Sequence, residues 1–316
     1  MPEVSVIIPN YNHAAFLDKR ITSVLNQTYK NFELIVLDDC STDKSREVIE
    51  SYKNRPEITH IEYNKINSGS TFKQWNKGIA LASSKYIWIA ESDDYAEPGF
   101  LEEMMQAFEQ EEQVVLAHCQ LICLRDNIIE WRSSTDQLSK FSDGKEFICE
   151  KLLGYNGIEN ASGVVFRKDA FLNAGQEYLN MRFCGDWYVW SQICRQGKVF
   201  TSGKYLNYFI KHGNDVSSNA MLEGLDFTEG NAIMLENIRK QTPSKSDIQK
   251  ALEFRIQRLE SLKYHFIDPA MYSTIQKILF QYYADYNIVK PKSPQTIKQT
   301  AIKVVRRFLD LNIHAL

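Results

Sequence analysis

The sequence predicts an α/β fold in which a mainly parallel sheet is flanked by helices and followed by a helical extension. Three observations carry this. Short β-rich runs alternate with helical stripes through the first hundred residues. Those runs are apolar at consecutive positions rather than alternate ones, as in strands covered on both faces. Beyond about residue 220 only helical periodicity remains.

Taken in order, Val4-Ser5-Val6-Ile7-Ile8 is a β-branched run ending at Pro9, and Leu17, Ile21, Val24 and Leu25 form one face of a helix. Residues 32–37 make a second buried strand, stopped by Asp38-Asp39-Cys40-Ser41. Ser41 or Thr42 is placed to cap a helix that turns Val48, Ile49 and Tyr52 inward. A third strand follows at 58–63, a helix at 72–81 and a fourth strand at 86–90, stopped by Glu91-Ser92-Asp93-Asp94. The style then changes. Residues 114–124 and 128–131 flank Arg125-Asp126-Asn127 as a hairpin, with short strands at 162–167 and 205–211 around an aromatic-rich helix at 186–194. Ile248, Leu252, Leu259, Leu262 and Phe266 mark the helical part, so a first domain is expected over 1–217 and an extension over 218–316.

Composition excludes several classes. A net charge of −3 gives no electrostatic footprint for nucleic acid. The start of the chain has no signal-peptide pattern, and the longest apolar stretch, 114–124, is too short to span a bilayer. A cytoplasmic location is expected. The six cysteines form no CxxC pair, so they read as reduced thiols rather than zinc ligands, with Cys119 and Cys123 on one buried face. His60, His118 and His265 lack ligand-like spacing and read as structural, and Trp75 and Trp88 as core aromatics.

The acids are the chemical signal. Asp38-Asp39 and Glu91-Asp93-Asp94 each follow the carboxyl end of a buried strand, the edge where open α/β sheets bind ligands. Helix capping alone would explain the first pair. Three carboxylates within four residues exceed what capping needs, and oxygen ligands suit Mg²⁺ or Mn²⁺, whose shell substrate phosphates complete. Neither GxGxxG nor GxxxxGK[ST] is present, which removes dinucleotide enzymes and P-loop ATPases and leaves a metal-bridged nucleotide diphosphate.

Several runs together resemble the family 2 inverting glycosyltransferases: Val4-Ser5-Val6-Ile7-Ile8-Pro9-Asn10-Tyr11-Asn12, the stretch from Gln27-Thr28-Tyr29 through Asp38-Asp39 to Ser41-Thr42-Asp43, Asn76-Lys77-Gly78-Ile79, and Tyr86-Ile87-Trp88-Ile89-Ala90-Glu91-Ser92-Asp93-Asp94. Gly185-Asp186-Trp187 and Tyr208-Phe209-Ile210-Lys211-His212 match that family's later motifs, so the resemblance covers about 4–217. It implies the Rossmann-like, A-type glycosyltransferase fold and a metal-dependent, non-processive, inverting transfer of sugar from a nucleotide-diphosphate donor, a UDP-sugar ahead of guanosine or thymidine donors, to a glycan or lipid-linked acceptor. No QxxRW run of the polymer synthases is present.

The resemblance also implies roles. Pro9, Tyr11 and Asp39 would line the base pocket, with Asp39 on a base N–H. Asp93 would hold the metal, Mn²⁺ or Mg²⁺, and His212 would reach the metal or the diphosphate. Glu91 stands where the family's motif begins with aspartate, a longer side chain that would either touch the ribose or stand behind the residues that do, and Asp94 would support either arrangement. Asp186 would be the base: an inverting displacement needs a proton acceptor opposite the leaving group, on a different segment from the metal ligand. Its aromatic neighbours Trp187, Tyr188 and Trp190 are of a kind that raises a carboxylate's pKa.

Two rivals remain. A sugar nucleotidyltransferase would carry a Gly-rich loop after the first strand, and Pro9-Asn10-Tyr11-Asn12 is not one. A catalytically inactive nucleotide-sugar binder is left open by Glu91. At 297–309, Ile297, Ala301, Val305 and Phe308 share one face of a basic helix, which fits packing on its own bundle better than peripheral contact with an anionic membrane.

Overall fold

The computed structural model describes residues 2–133, 138–212 and 220–288. The basic stripe at 297–309 lies outside them. Two compact units are present, one made of Met1–Leu152 with Asn156–Val216, the other of Leu153–Tyr155 with Ser217–Leu316.

In the first unit, β1 (Val4–Asn10), α1 (Ala14–Leu25), β2 (Phe32–Asp38), α2 (Ser45–Tyr52), β3 (Ile58–Tyr63), α3 (Thr71–Leu81) and β4 (Tyr86–Ile89) alternate as the periodicity requires. There follow β5 (Tyr95–Ala96), α4 (Phe100–Gln110), the hairpin of β6 (Val114–Arg125) and β7 (Ile128–Arg132), β8 (Lys140–Asp143), α5 (Gly144–Phe147), β9 (Val164–Arg167), α6 (Lys168–Leu172), α7 (Gly185–Cys194) and β10 (Lys198–Lys211). The described strands form one sheet in the order β3-β2-β1-β4-β9-β6-β10-β5, with β7 on β6 and β8 on β10.

The first four strands pair in parallel, in the register Val6 with Leu34 and Val6 with Trp88. β9 enters antiparallel between β4 and β6, so the sheet is mixed. β10 then runs parallel to β6. Every residue of β1, β2 and β4 is buried, which is why these strands read as continuous apolar runs. β10 starts at Lys198 rather than near 205, because Lys198–Thr201 pair with both β6 and β8 before register shifts near Tyr205. No helix among the described residues is long and apolar enough to cross a membrane.

Ser41 and Thr42 do not cap α2. They are drawn to the loop after β1: Ser41 Oγ accepts from the Asn12 N–H at 2.9 Å, and Thr42 N–H donates to Asn12 Oδ1 at 2.7 Å. Asp43 takes the capping role, accepting from the Ser45 N–H and, with its other oxygen, from the Ala14 N–H at the start of α1. One carboxylate therefore serves two helix starts.

The second unit contains α8 (Leu225–Gln241), α9 (Lys245–Ser261) and α10 (Pro269–Asp285). Ser244 and Asp247 form a reciprocal capping box at α9, and Asp268 followed by Pro269 opens α10. Phe227, Met234, Leu252, Leu259, Leu279 and Tyr283 make its core. Within it, the buried Arg255 is held by Asp226 and Asn231.

Candidate active site

Three segments bring the acids to one sheet edge: the loops after β1, β2 and β4, which are adjacent strands. The first two are laced together. Asn10 Nδ2 donates to Asp38 Oδ1 at 2.8 Å, and Asp39 N–H donates to the Asn10 carbonyl at 2.8 Å. The tight path puts Asn12 and Cys40 at positive φ, 57° and 65°, the latter an uncommon conformation for a side chain of this kind.

Asp39 is buried, and its carboxylate is crowded with donors. Oδ1 accepts from Asn64 Nδ2 (2.6 Å), Gln74 Nε2 (2.9 Å) and the Ser68 N–H (2.9 Å), and Oδ2 accepts from Ser68 Oγ at 2.7 Å. A carboxylate has about four lone-pair sites, so the protein itself supplies a full set. Pro9 is buried in β1, while Tyr11 is 46% exposed on the loop that follows.

The loop after β4 is different. Glu91 Oε1 accepts from Trp75 Nε1 at 2.7 Å, which joins it to α3. Trp75 is thus the core aromatic expected and also a hydrogen-bond donor to the acidic loop. Asp94 is 1% exposed and fully engaged: Oδ2 accepts from Ser162 Oγ (2.6 Å) and Asn160 Nδ2 (2.9 Å), and Oδ1 from the Ile210 N–H (3.0 Å). Its carboxylate ties the loop to β10, the strand that leads to His212. Asp93 faces outward, with Oδ2 at 3.0 Å from His212 Nε2 and about a fifth of its side chain exposed.

Beneath the acids lies Arg20, which the sequence reading passed over although it sits three residues from Leu17 on the buried stripe of α1. It is wholly buried; Nε donates to the Glu91 carbonyl at 2.8 Å, and one terminal nitrogen stands 3.9 Å from Asp94. Neither terminal nitrogen has a hydrogen-bond partner. Burial lowers its pKa to about 10, against the pull of Asp94, Asp93 and Glu91. Burial, with Asp93 alongside, pushes Glu91 up to about 8 and Asp94 up to about 7. Burial opposes ionisation of Asp93 too, but the His212 hydrogen bond and the two nearby imidazoles hold it below its ordinary range. The loop thus keeps Asp93 as its ionised acid, while Glu91 and Asp94 are driven toward their protonated forms around the buried arginine.

His13, also passed over, stands in this group. His13, Asp93 and His212 each offer a ligand atom within 4.8 Å of the others. A carboxylate and two imidazoles are a donor set that fits a divalent cation.

Asp186 lies in the first turn of α7. Its Oδ2 accepts from Asn156 Nδ2 at 2.9 Å and Oδ1 from the Trp187 N–H at 2.7 Å. Trp187, Tyr188 and Trp190 are buried: Trp187 donates to the Leu152 carbonyl and Tyr188 to Glu177. Gly185 is required by packing, since an added Cβ would lie 2.6 Å from the Phe72 ring of α3. The other passed-over residues, Asn156, Asn160, Ser162, Ser68 and Gln74, are isolated polar residues that only the fold brings to the acids. His118, buried on Thr201 Oγ1, and the fully buried Trp88 fit their expected structural places, whereas His60 is half-buried and His265 exposed.

Residues 5–172 match the family described as Glycosyl transferase family 2. An uncharacterized glycosyltransferase of Haemophilus influenzae is 30% identical over 224 residues, covering 69% of this chain and 68% of that protein. Among solved structures, Staphylococcus aureus TarS 1-349 in complex with UDP-GlcNAc superposes with a TM-score of 0.67 at 18% identity, covering 88% of this chain and 81% of that one. The mannosyltransferase PcManGT of Pyrobaculum calidifontis, in complex with GDP-Man and Mn²⁺, does so with a TM-score of 0.54 at 13% identity, covering 90% and 82%. At those identities the structures establish the fold, and the sequence matches establish the kinship. A mixed sheet with acidic loops at the ends of its parallel strands, joined to a family match over more than half the chain, makes this protein a glycosyltransferase belonging to Glycosyl transferase family 2.

Proposed function

We propose that the chain transfers a sugar from a UDP-sugar to an acceptor hydroxyl with inversion at the anomeric carbon, one sugar per encounter, in the assembly of a surface glycan or polysaccharide. The observation that carries this reading is the pairing of Asp93 with His212 at 3.0 Å, with His13 close enough that the three offer ligand atoms within 4.8 Å of one another. Among the relatives, TarS is named a poly(ribitol-phosphate) β-N-acetylglucosaminyltransferase, which supports a polymeric acceptor, and its structure holds UDP-GlcNAc. PcManGT holds Mn²⁺.

A divalent ion bound here would supply Lewis-acid stabilisation of the departing diphosphate. Asp93 and His212 are its holders in this reading. Asp186 takes the proton of the acceptor hydroxyl as that oxygen forms its bond to the anomeric carbon, and the bond from that carbon to the diphosphate breaks with its electron pair leaving on oxygen. Asn156 and the Trp187 N–H fix the orientation of the Asp186 carboxylate for that task. Pro9 and Tyr11 wall the base pocket, and Asp39 enters it by exchanging one amide partner for a base N–H. Glu91, held by Trp75, and Asp94, held by Ser162, keep the loop in place on the ribose side.

Calorimetry of UDP binding, with and without Mn²⁺, in wild type and Asp93→Ala tests the reading. Binding that needs both the ion and Asp93 is expected. Absence of binding by any nucleoside diphosphate in the presence of metal would overturn the donor site.

A further inference from the structure

We infer that His13 is a third protein ligand of the divalent cation, completing a two-histidine, one-carboxylate set with Asp93 and His212 that favours Mn²⁺ over Mg²⁺. The inference rests on the metal reading above and adds to it a residue from another segment, the loop after β1.

Distances carry the first part. Donors on one six-coordinate ion lie about 2.1 Å from it, so neighbouring donors stand about 3 Å apart and opposed ones about 4.2 Å. Asp93 and His212 are already 3.0 Å apart, and the whole triad lies within 4.8 Å. A contraction of about half an ångström, well within side-chain motion, closes it around one ion.

Orientation carries the second. His13 Nδ1 is 2.8 Å from Ser92 Oγ, so the residue beside Asp93 fixes the ring, as outer partners of metal-bound imidazoles do. His13 meets the His212 ring edge-on at 5.2 Å, and Phe16 stacks on His212 at 4.9 Å. Protein contacts therefore hold both imidazoles.

The His13 side chain does not cap its helix: the residue occupies the N-cap position of α1 yet makes no capping bond, and Asp43 accepts from the Ala14 N–H in its place. Charge balance sets the preference among ions. Asp94 is spent on Ser162, Asn160 and the Ile210 N–H, and Glu91 on Trp75, which leaves Asp93 as the one loop carboxylate of the triad. Two nitrogen donors and one oxygen suit a transition-metal ion, whereas Mg²⁺ prefers oxygen and retains its waters. The positions that remain are those the diphosphate oxygens would take.

The test is Mn²⁺ binding to the full chain with UDP present, read by electron paramagnetic resonance, with pulsed measurements counting imidazole nitrogens on the Mn²⁺ and Mg²⁺ affinity read by its displacement of bound Mn²⁺. Wild type is expected to show two coordinating imidazoles. His13→Ala should show one, bind Mn²⁺ about tenfold more weakly, and lose Mg²⁺ affinity by less than about threefold. His13→Gln, which keeps a polar group for Ser92, guards against misfolding and should behave the same way, with a melting temperature near that of wild type. If both variants retain two imidazoles and wild-type Mn²⁺ affinity while Asp93→Asn loses it, His13 is not a ligand and the metal reading stands. Should Asp93→Asn also bind Mn²⁺ normally, or wild type bind none, both fall together.

Discussion

The loops after β2 and β4 sit at the same sheet edge and both carry adjacent carboxylates, yet they solve burial in opposite ways. Around Asp39, neutral donors from Asn64, Ser68 and Gln74 saturate the carboxylate. Around Glu91, Asp93 and Asp94, one wholly buried arginine faces three acids and two of them are driven toward their neutral forms. The first loop is complete as folded. The second keeps Asp93 ionised while burial drives its two neighbours toward protonation, so a bound cation would favour their ionised forms.

Neutralising the outward carboxylate separates the two most strongly. Asp93→Asn should lower sugar transfer about 10³-fold, roughly 4 kcal/mol of lost stabilisation of the leaving group, measured as kcat/KM at saturating Mn²⁺. A loss under tenfold would remove Asp93 from the electrostatic centre. Next comes Arg20→Met, which strips the acids of their buried counter-charge and should cost about 3–5 kcal/mol in urea unfolding. A cost within 0.5 kcal/mol would mean that the loop does not lean on it.

Asp39→Asn should destabilise by about 2–4 kcal/mol, because an amide nitrogen would face the donors that an oxygen now accepts. Glu91→Gln in metal-free protein should do the reverse and stabilise, by about 1–2 kcal/mol at pH 8.5. The sign follows from the direction of the shift. A carboxyl whose pKa is raised by folding, here up to about 8, favours the folded state below its unfolded pKa and withdraws that contribution as pH rises through the folded value. The gap between variant and wild type should therefore widen from pH 5 to pH 8, and chelated samples unfolded at both pH values check it. Equal signs at Asp39 and Glu91 would erase the contrast.

How much of this was legible beforehand differs by kind. The alternation of β1 to β4 with α1 to α3 could be read because doubly covered strands and amphipathic helices leave unmistakable periods. The reversal at β9 could not, since strand direction in the sheet is decided by non-local pairing with β4 and β6. The acids announced themselves by clustering. Arg20 was hidden by its type: a charged residue on an apolar stripe reads as an edge of the stripe, although its spacing from Leu17 and Ile21 placed it inward. His13 was hidden by distance, because only folding brings residue 13 to residues 93 and 212. Ser41 and Thr42 were misassigned because the cap residue, Asp43, is also needed by α1.

One helix has a wider consequence. From α3, Gln74 reaches Asp39, Trp75 reaches Glu91, Lys77 reaches Asn64 at 2.8 Å, and Phe72 fills the space that Gly185 leaves beside Asp186. The proposed nucleotide wall, the acidic loop and the proposed base are thus surveyed from a single datum line. Changes in α3 cannot be assigned to one step of the reaction, and pairs of them should combine non-additively. A lineage exploring new sugars or acceptors would keep this helix constant and diversify the loops that reach it, and an engineer altering specificity has the same choice of ground.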